Sequence, residues 1–272
     1  MLFPLSILFG AFVGFALGLT GGGGSLLAVP LLVYGLEIAP REAFGISLAA
    51  VGATALVGVV PRIRAGQVEV GSGVLFAVAG MLGAPLGTWV AGMIPETVLL
   101  TLFSVLMLVV AWGMWNKSPA KNEKRLQTAS ETDTRRPTCQ RTADGKLRLS
   151  SRCAMLLAVI GLATGFLSGM FGVGGGFVIV PALVLFSAMP IQKAVATSLL
   201  VIVLVSISGV ASHFAAGRGI SLEVTGLFVL GGVIGMSLGG LVSKRLPAPL
   251  LQKVFATGIV AVAIFIISKT FV

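Results

Sequence analysis

The chain has 272 residues, 56% of them hydrophobic and 10% charged, with a formal net charge of +10. Too little polar surface remains to clothe a water-soluble fold, so the chain belongs in a bilayer. A single tyrosine, a single histidine and few acids within the apolar runs argue against a proton pump built on a buried carboxylate relay, while leaving proton coupling open, and against a membrane-embedded hydrolase, which needs convergent His, Asp or Glu.

A helix needs about 20 apolar residues to cross the hydrocarbon. In the first half, apolar segments cover 2–19, 25–36, 43–60, 71–92 and 97–115. The chain begins apolar, without a basic leader or a small-residue cleavage site, so the first segment is expected to be retained. The second segment is short, carries Pro30, and is open to two readings, re-entrant or fully spanning. Residues 116–152 then hold ten Lys/Arg against the four acids Glu123, Glu131, Asp133 and Asp144. Polar and without apolar periodicity, this stretch reads as an irregular linker, and its positive charge places it in the cytoplasm. So addressed, the positive charge does not point to nucleic acid. Cys139 and Cys153 lack metal-ligand spacing and are expected to be free thiols on the reducing side. The second half repeats the pattern at 153–170, 177–188, 194–215, 222–242 and 250–272, its second segment again short and carrying Pro181.

The halves are copies. Gly10, Gly14, Gly18, Gly21, Gly23, Gly24, Gly58 and Gly66 return 151 positions later, and Gly80, Gly83 and Gly87 return 152 positions later. The expected organisation is therefore membrane repeat 1 over 1–115, a basic cytoplasmic linker over 116–152 and membrane repeat 2 over 153–272. Equivalent loops carry opposite charge bias. Before the fifth segment the first half has Glu96 and no cation, whereas the second has Lys244 and Arg245; before the fourth, Arg62 and Arg64 stand against Arg218 alone. Opposite bias belongs on opposite faces, which favours an inverted repeat; a re-entrant second segment with four crossings per half would instead make the repeats parallel. The fold class expected is an all-α polytopic membrane protein with about eight to ten transmembrane helices, two of them broken by glycine.

Gly10, Gly14 and Gly18, with Gly161, Gly165 and Gly169, form stripes suited to close helix packing. The runs LTGGGGSLLAVP at 19–30 and MFGVGGGFVIVP at 170–181 are different. Each such glycine weakens a helix by about 1 kcal/mol relative to alanine, so the helix should unwind there. An unwound backbone in hydrocarbon must be buried or line a wet cavity, and the helix restarting at Ser25 or Phe177 would present free N–H groups suited to an anion. The alternative is a structural hinge. On the anion reading the candidate substrate-binding residues are Gly21, Gly22, Gly23, Gly24, Ser25, Ser47, Gly172, Gly174, Gly175, Gly176, Thr197 and Ser198, the hydroxyls either meeting substrate oxygens or bonding back to their own helices. Arg62 aligns with His213, and the pair reads either as interfacial anchors or as gating or coupling groups. Nothing in the sequence calls for a cofactor or a metal.

The glycine-then-proline motif from Gly169 to Pro181, looser from Gly18 to Pro30, the ATSL block from Ala196 to Leu199, and His213 with Gly217 four residues on together resemble the sulfite exporter TauE/SafE family. The resemblance covers nearly all the chain outside the linker. It implies a secondary transporter, in the export direction, of sulfite or an organosulfonate across the bacterial cytoplasmic (inner) membrane, with a small anionic substrate and the lipid bilayer as partners and homo-oligomerisation left open. A passive anion channel and a carrier of an unrelated small solute are the alternatives. The first half departs from the pattern, with Ile46 where the second has Thr197 and Arg62 in place of the histidine.

Overall fold

A computed structural model describes residues 2–116, 140–141, 147–148, 151–186, 189–217, 219–242 and 248–271. Ten helical elements follow in chain order among these residues. They are α1 (Leu2–Thr20), α2 (Gly23–Gly35), α3 (Pro40–Arg64), α4 (Val70–Met93), α5 (Glu96–Asn116), α6 (Ser151–Phe171), α7 (Gly176–Phe186), α8 (Ile191–Ala215), α9 (Leu222–Val242) and α10 (Ala248–Phe271). Seven of them, α1, α3 to α6, α8 and α9, are long and apolar enough to cross a membrane, which makes this a multi-pass membrane protein. Of the linker, Gln140–Arg141 pairs antiparallel with Leu147–Arg148, an element too short to leave a periodic pattern in sequence. The remainder of the expected cytoplasmic linker, with Cys139, lies outside the described residues, as do Arg218, Lys244 and Arg245.

Helix ends follow local chemistry. Pro40 opens α3, where its missing N–H costs nothing, and Glu42 lies in the first turn. Gly66 and Gly217 end α3 and α8 in the left-handed conformation, with φ of 66° and 68°, their N–H groups donating to the carbonyls of Ile63 and Phe214. Both helices extend beyond their apolar segments, α3 and α8 reaching 25 residues each.

Helix α1 packs on α9, and α6 on α4. In the first seam Gly10, Gly14 and Gly18 face the backbones of Phe228, Gly232 and Met236; in the second Gly161, Gly165 and Gly169 face those of Phe76, Gly80 and Ala84. Both members of each pair rise together along the contact, so each seam is parallel, with main chain against main chain. The α3–α8 pair differs. Gly45 meets His213, Leu48 meets Gly209 and Gly52 meets Ser206, an antiparallel register. These two helices are the most enclosed, 67% and 61% buried over their apolar windows against 33% for α5 and α9. The lipid-facing side is marked by rows at helical spacing, such as Val74, Val78, Leu82 and Leu86 on α4.

Helix α7 returns along α8, to which four residues connect it. Since α6 runs parallel to α4, and α4 parallel to α8 through Gly73 against Thr197 and Gly80 against Val205, α6 and α7 form a hairpin that leaves on the side it entered. Cys153, at the start of α6, is buried and disulfide-bonded, which corrects the expectation of a free thiol there. That expectation rested on placing Cys153 on the reducing side of the membrane, and a compartment argument does not say which sulfurs the fold brings within bonding distance.

A side chain in a glycine seam has nowhere to go. Gly165→Val, which places its Cβ against the Gly80 backbone, is expected to cost roughly 3 kcal/mol and to lower the melting temperature of the detergent-solubilised protein. Gly113→Ala, where nothing stands within 4 Å, should leave it unchanged.

Candidate functional site

Both glycine runs break their helices. Gly21 has φ 75°, and its N–H closes α1 on the Leu17 carbonyl at 2.7 Å; Gly172 has φ 68°, and its N–H closes α6 on the Ser168 carbonyl at 2.8 Å. Beyond these closures the two turns differ. The first restarts as a 3-10 turn over Gly23–Leu27, passes through three α-helical residues and ends as a π turn over Leu31–Gly35. The second places Gly174 and Gly175 in succession at φ 67° and 69°, and then restarts as an 11-residue α-helix at Gly176. Only the second turn therefore gives a regular helix N-terminus; the first has none, unlike the sequence expectation of one in each half.

The two turns touch. A Cβ on Gly176 would stand 2.6 Å from Gly22 Cα. Gly174 lies at the middle of the α3–α8 crossing, where a Cβ would stand 3.2 Å from Val51 and 3.2 Å from Ile202. The glycines proposed from sequence as one shared site are thus brought together, all of them buried.

The predicted hydroxyls are distributed unevenly. Ser198 Oγ donates to the Gly21 carbonyl at 2.7 Å, with Val195 O at 2.8 Å as alternative acceptor, and Ser25 Oγ donates to the Gly22 carbonyl at 2.7 Å. Thr20 Oγ1 donates to Ala16 O and accepts from Gly23 N–H at 3.0 Å. The first turn is in this way closed upon itself. Thr197 Oγ1 accepts the Glu69 N–H at 3.0 Å, at the start of α4, so that oxygen serves as a helix cap supplied from another element.

Around the second turn, three buried hydroxyls have no hydrogen-bond partner among the described residues, those of Ser47, Ser168 and Ser206. Ser206 Oγ stands 3.9 Å from a Cβ position on Gly174, and Ser168 Cβ stands 3.7 Å from one on Gly175. Ser47 shares a face of α3 with Phe44, which abuts Gly172, and Val51, which abuts Gly174. Elsewhere Thr101, Ser104, Ser212 and Ser237 bond back to their own helices. Leaving a buried hydroxyl unpaired costs about 1–3 kcal/mol. The sequence reading missed Ser168 and Ser206. The signal was present in the duplication, because their counterparts 151 positions earlier are Leu17 and Ala55.

Arg62 and His213, equivalent by repeat, do not meet. The antiparallel α3–α8 register puts His213, 1% exposed and beside Gly45, at one end of the pair, and Arg62, with a buried and unpartnered Nη1, at the other. At the His213 end, an open cleft of about 510 Å³ is lined by Ala39, Arg41, Glu42, Gly219, Ile220 and Ser221. Ile220 also packs on Gly45, and so separates the cleft from the helices below. Arg41 Nη2 donates to Ile94 O at 3.1 Å, and its Nε lies 3.7 Å from Glu96 Oε1.

A family model described as sulfite exporter TauE/SafE matches residues 6–266. The chain belongs to that family. A "probable membrane transporter protein" of Xylella fastidiosa (strain 9a5c) is 36% identical over 268 residues, covering 96% of this chain and 93% of the relative. The "probable membrane transporter protein YunE" of Bacillus subtilis is 29% identical over 88% of this chain and 86% of its own length. A third, MJ0441 of Methanocaldococcus jannaschii, is 28% identical over 79% of this chain and 74% of its own. No solved structure matches the chain. The family is one of membrane transporters, not of enzymes.

Thr197→Val removes the acceptor for Glu69 N–H and is expected to destabilise the protein by about 1 kcal/mol, read as a lower melting temperature. Ser212→Ala, which removes only a bond back to Ser208 of the same helix, should show no comparable shift.

Proposed function

We propose that the protein is a secondary carrier that exports a small oxyanion, of the sulfite or organosulfonate class, across the bacterial inner membrane. The observation that carries the reading is the meeting of the two glycine turns, Gly22 against Gly176, beside the middle of the α3–α8 pair. Irregular backbone at that depth is tolerated where it serves a buried site, and paired broken helices at a repeat interface are the usual construction of a substrate site in carriers. The family's description as a sulfite exporter supplies the substrate class.

The organisation we infer is an inverted repeat of 1–115 and 153–272 about the linker 116–152. It is supported by the antiparallel packing of α3 and α8, which occupy equivalent places in the two halves, and by the exchange of partners in which the first helix of each half packs on the fourth of the other. Each half then enters and leaves on one side with its first hairpin and crosses with its remaining three helices, an odd number. With the linker in the cytoplasm, Arg62, Arg64 and Lys193 also fall on the cytoplasmic side, while Arg41 and the cleft at Ile220 face outward, in keeping with the positive-inside bias. His213 under the outer cleft and Arg62 at the inner end are placed as gating or coupling groups at opposite mouths. We assign Gly21, Gly22, Gly23, Gly24, Ser25, Ser47, Gly172, Gly174, Gly175, Gly176 and Ser198 to the surroundings of the shared site, with Thr197, next to Ser198 on α8, capping α4.

Proteoliposomes holding the purified protein should take up sulfite or methanesulfonate with saturable kinetics that respond to an imposed pH or Na⁺ gradient. Uptake without saturation or coupling would make it a channel, and no uptake of any oxyanion would sink the reading. The same vesicles test the repeat: a cysteine at Glu96, introduced into protein whose own cysteines are replaced, should react with an impermeant maleimide from the face opposite to one introduced at Arg64.

A further inference from the structure

The duplicated halves have the same glycines but different linings. Beside the second turn stand Thr164, Ser168 and Ser206; their counterparts beside the first are Val13, Leu17 and Ala55. Thr164 Oγ1 is committed to the Ile160 carbonyl. The hydroxyls of Ser168 and Ser206 are not committed, and neither is that of Ser47, on the face of α3 whose Phe44 and Val51 abut the same turn. All three residues are at least 98% buried, with exposures of 0%, 2% and 0% for Ser168, Ser206 and Ser47. The equivalent of Ser47 is Ser198, and its hydroxyl is spent on the Gly21 carbonyl of the first turn. One turn is thus satisfied internally, and the other has donors in waiting on three different helices.

We propose, building on the carrier reading above, that the anion binds in the second half alone, held by the hydroxyls of Ser47, Ser168 and Ser206 and by the N–H groups opening α7, and that the site selects a monoanion bearing three oxygens on one centre. Three hydroxyls arriving from α3, α6 and α8 supply one donor per oxygen, which suits the trigonal face of a sulfonate or of hydrogen sulfite. The helix opening at Gly176 adds N–H groups and the positive end of its dipole.

Charge sets the selectivity. The desolvation cost of an ion grows with the square of its charge, so a dianion is penalised about four times as heavily as a monoanion of the same size. Offsetting that would take a buried cation. Among the described residues, the basic groups on the helices lining the turn lie elsewhere: His213 is about two turns, or roughly 10 Å, from Ser206 along α8, Arg62 is at the far end of α3, and Arg41, Arg64, Arg152 and Lys193 are at helix ends. With neutral donors alone, the smaller desolvation cost of the monoanion decides between the two.

The test is methanesulfonate uptake by proteoliposomes at pH 7, with sulfate as competitor, comparing wild type with Ser47→Ala, Ser168→Ala and Ser206→Ala. Loss of a hydrogen bond to a charged ligand should raise KM at least about tenfold for each variant, with melting temperatures near wild type, and sulfate in equal concentration should leave uptake unchanged. Ser212→Ala, bonded only to its own helix, should behave as wild type. Should all three variants keep the wild-type KM while Ser198→Ala or Ser25→Ala raises it, the substrate sits at the first turn and the assignment is overturned with the carrier reading intact. Competition by sulfate equal to that by unlabelled methanesulfonate overturns the monoanion selectivity. Absence of uptake for sulfite as well as methanesulfonate in the wild type removes the anion-carrier reading and this site with it. If a serine variant is poorly folded, methanesulfonate protection of a cysteine at position 206 from a small thiol reagent decides the matter, protection supporting the site and its absence refuting it.

Discussion

Every backbone N–H and C=O inside a bilayer needs a partner, and the rest of this structure depends on how that demand is met at the two glycine turns where α1 and α6 end inside the protein. The turns after α1 and α6 survive because other protein covers them. Gly22 and Gly176 press together, Val195 closes over Gly21, and the Phe44 backbone closes over Gly172. That enclosure in turn needs helices that approach more closely than side chains permit. The parallel α1–α9 and α4–α6 seams supply it, with glycine facing main chain at each step of four residues. The packing stripes and the helix breaks are therefore one device: the stripes hold α1 and α6 tight enough against their neighbours for the breaks to stay dry.

The glycines common to the two halves set the skeleton and leave the lining free to differ. Glycines at positions 21, 23 and 24 and at 172, 174 and 175 set where both chains turn, since the left-handed φ at 21 and 172 disfavours a side chain in either copy. The residues that fill the space around the turns carry no such requirement. In the first half that space holds Val13, Leu17 and Ala55, and the helix winds on through 3-10 and π turns that absorb its carbonyls locally. In the second half the same places hold hydroxyls, and the helix restarts cleanly. One copy has become a wall and the other a lining.

The sequence made the helices and the turns legible because these rest on composition and on glycine spacing, both of which are local. Segment ends fell within three or four residues, and the differences, as at Pro40 and Ile191, lie where a helix begins a turn before its apolar run, on residues that are not buried. Partners were less legible. Spacing of four residues marks the stripe at Gly10, Gly14 and Gly18 as a contact, but it does not say that α9 of the other half lies against it. Alignment of Arg62 with His213 suggested a shared place, whereas an antiparallel α3–α8 register sends equivalent residues to opposite ends. Thr197 looked like a ligand from its neighbourhood; which backbone group it serves depends on α4, 128 residues away in the chain. Ser168 and Ser206 were hidden for a different reason. Single serines in apolar helices usually bond back to their own turn, so only tertiary structure distinguishes the three that have no partner among the described residues.

A site without fixed charge also suits a protein that must return empty. A carrier with a buried arginine for its anion would hold an uncompensated charge during half of each cycle, at a cost of several kcal/mol, or would need a counter-ion to move with it. Neutral serine hydroxyls and a helix end leave no net charge buried when the site is empty. The same weakness bounds affinity. Neutral donors hold an anion less tightly than a guanidinium does, which favours release, and they discriminate by charge and shape because they have no surplus attraction to spend on a poor fit. On the proposed reading the cationic groups stand at the two ends of the α3–α8 pair, Arg41 lining the open cleft at one end and Arg62 at the other, and the neutral donors lie between them.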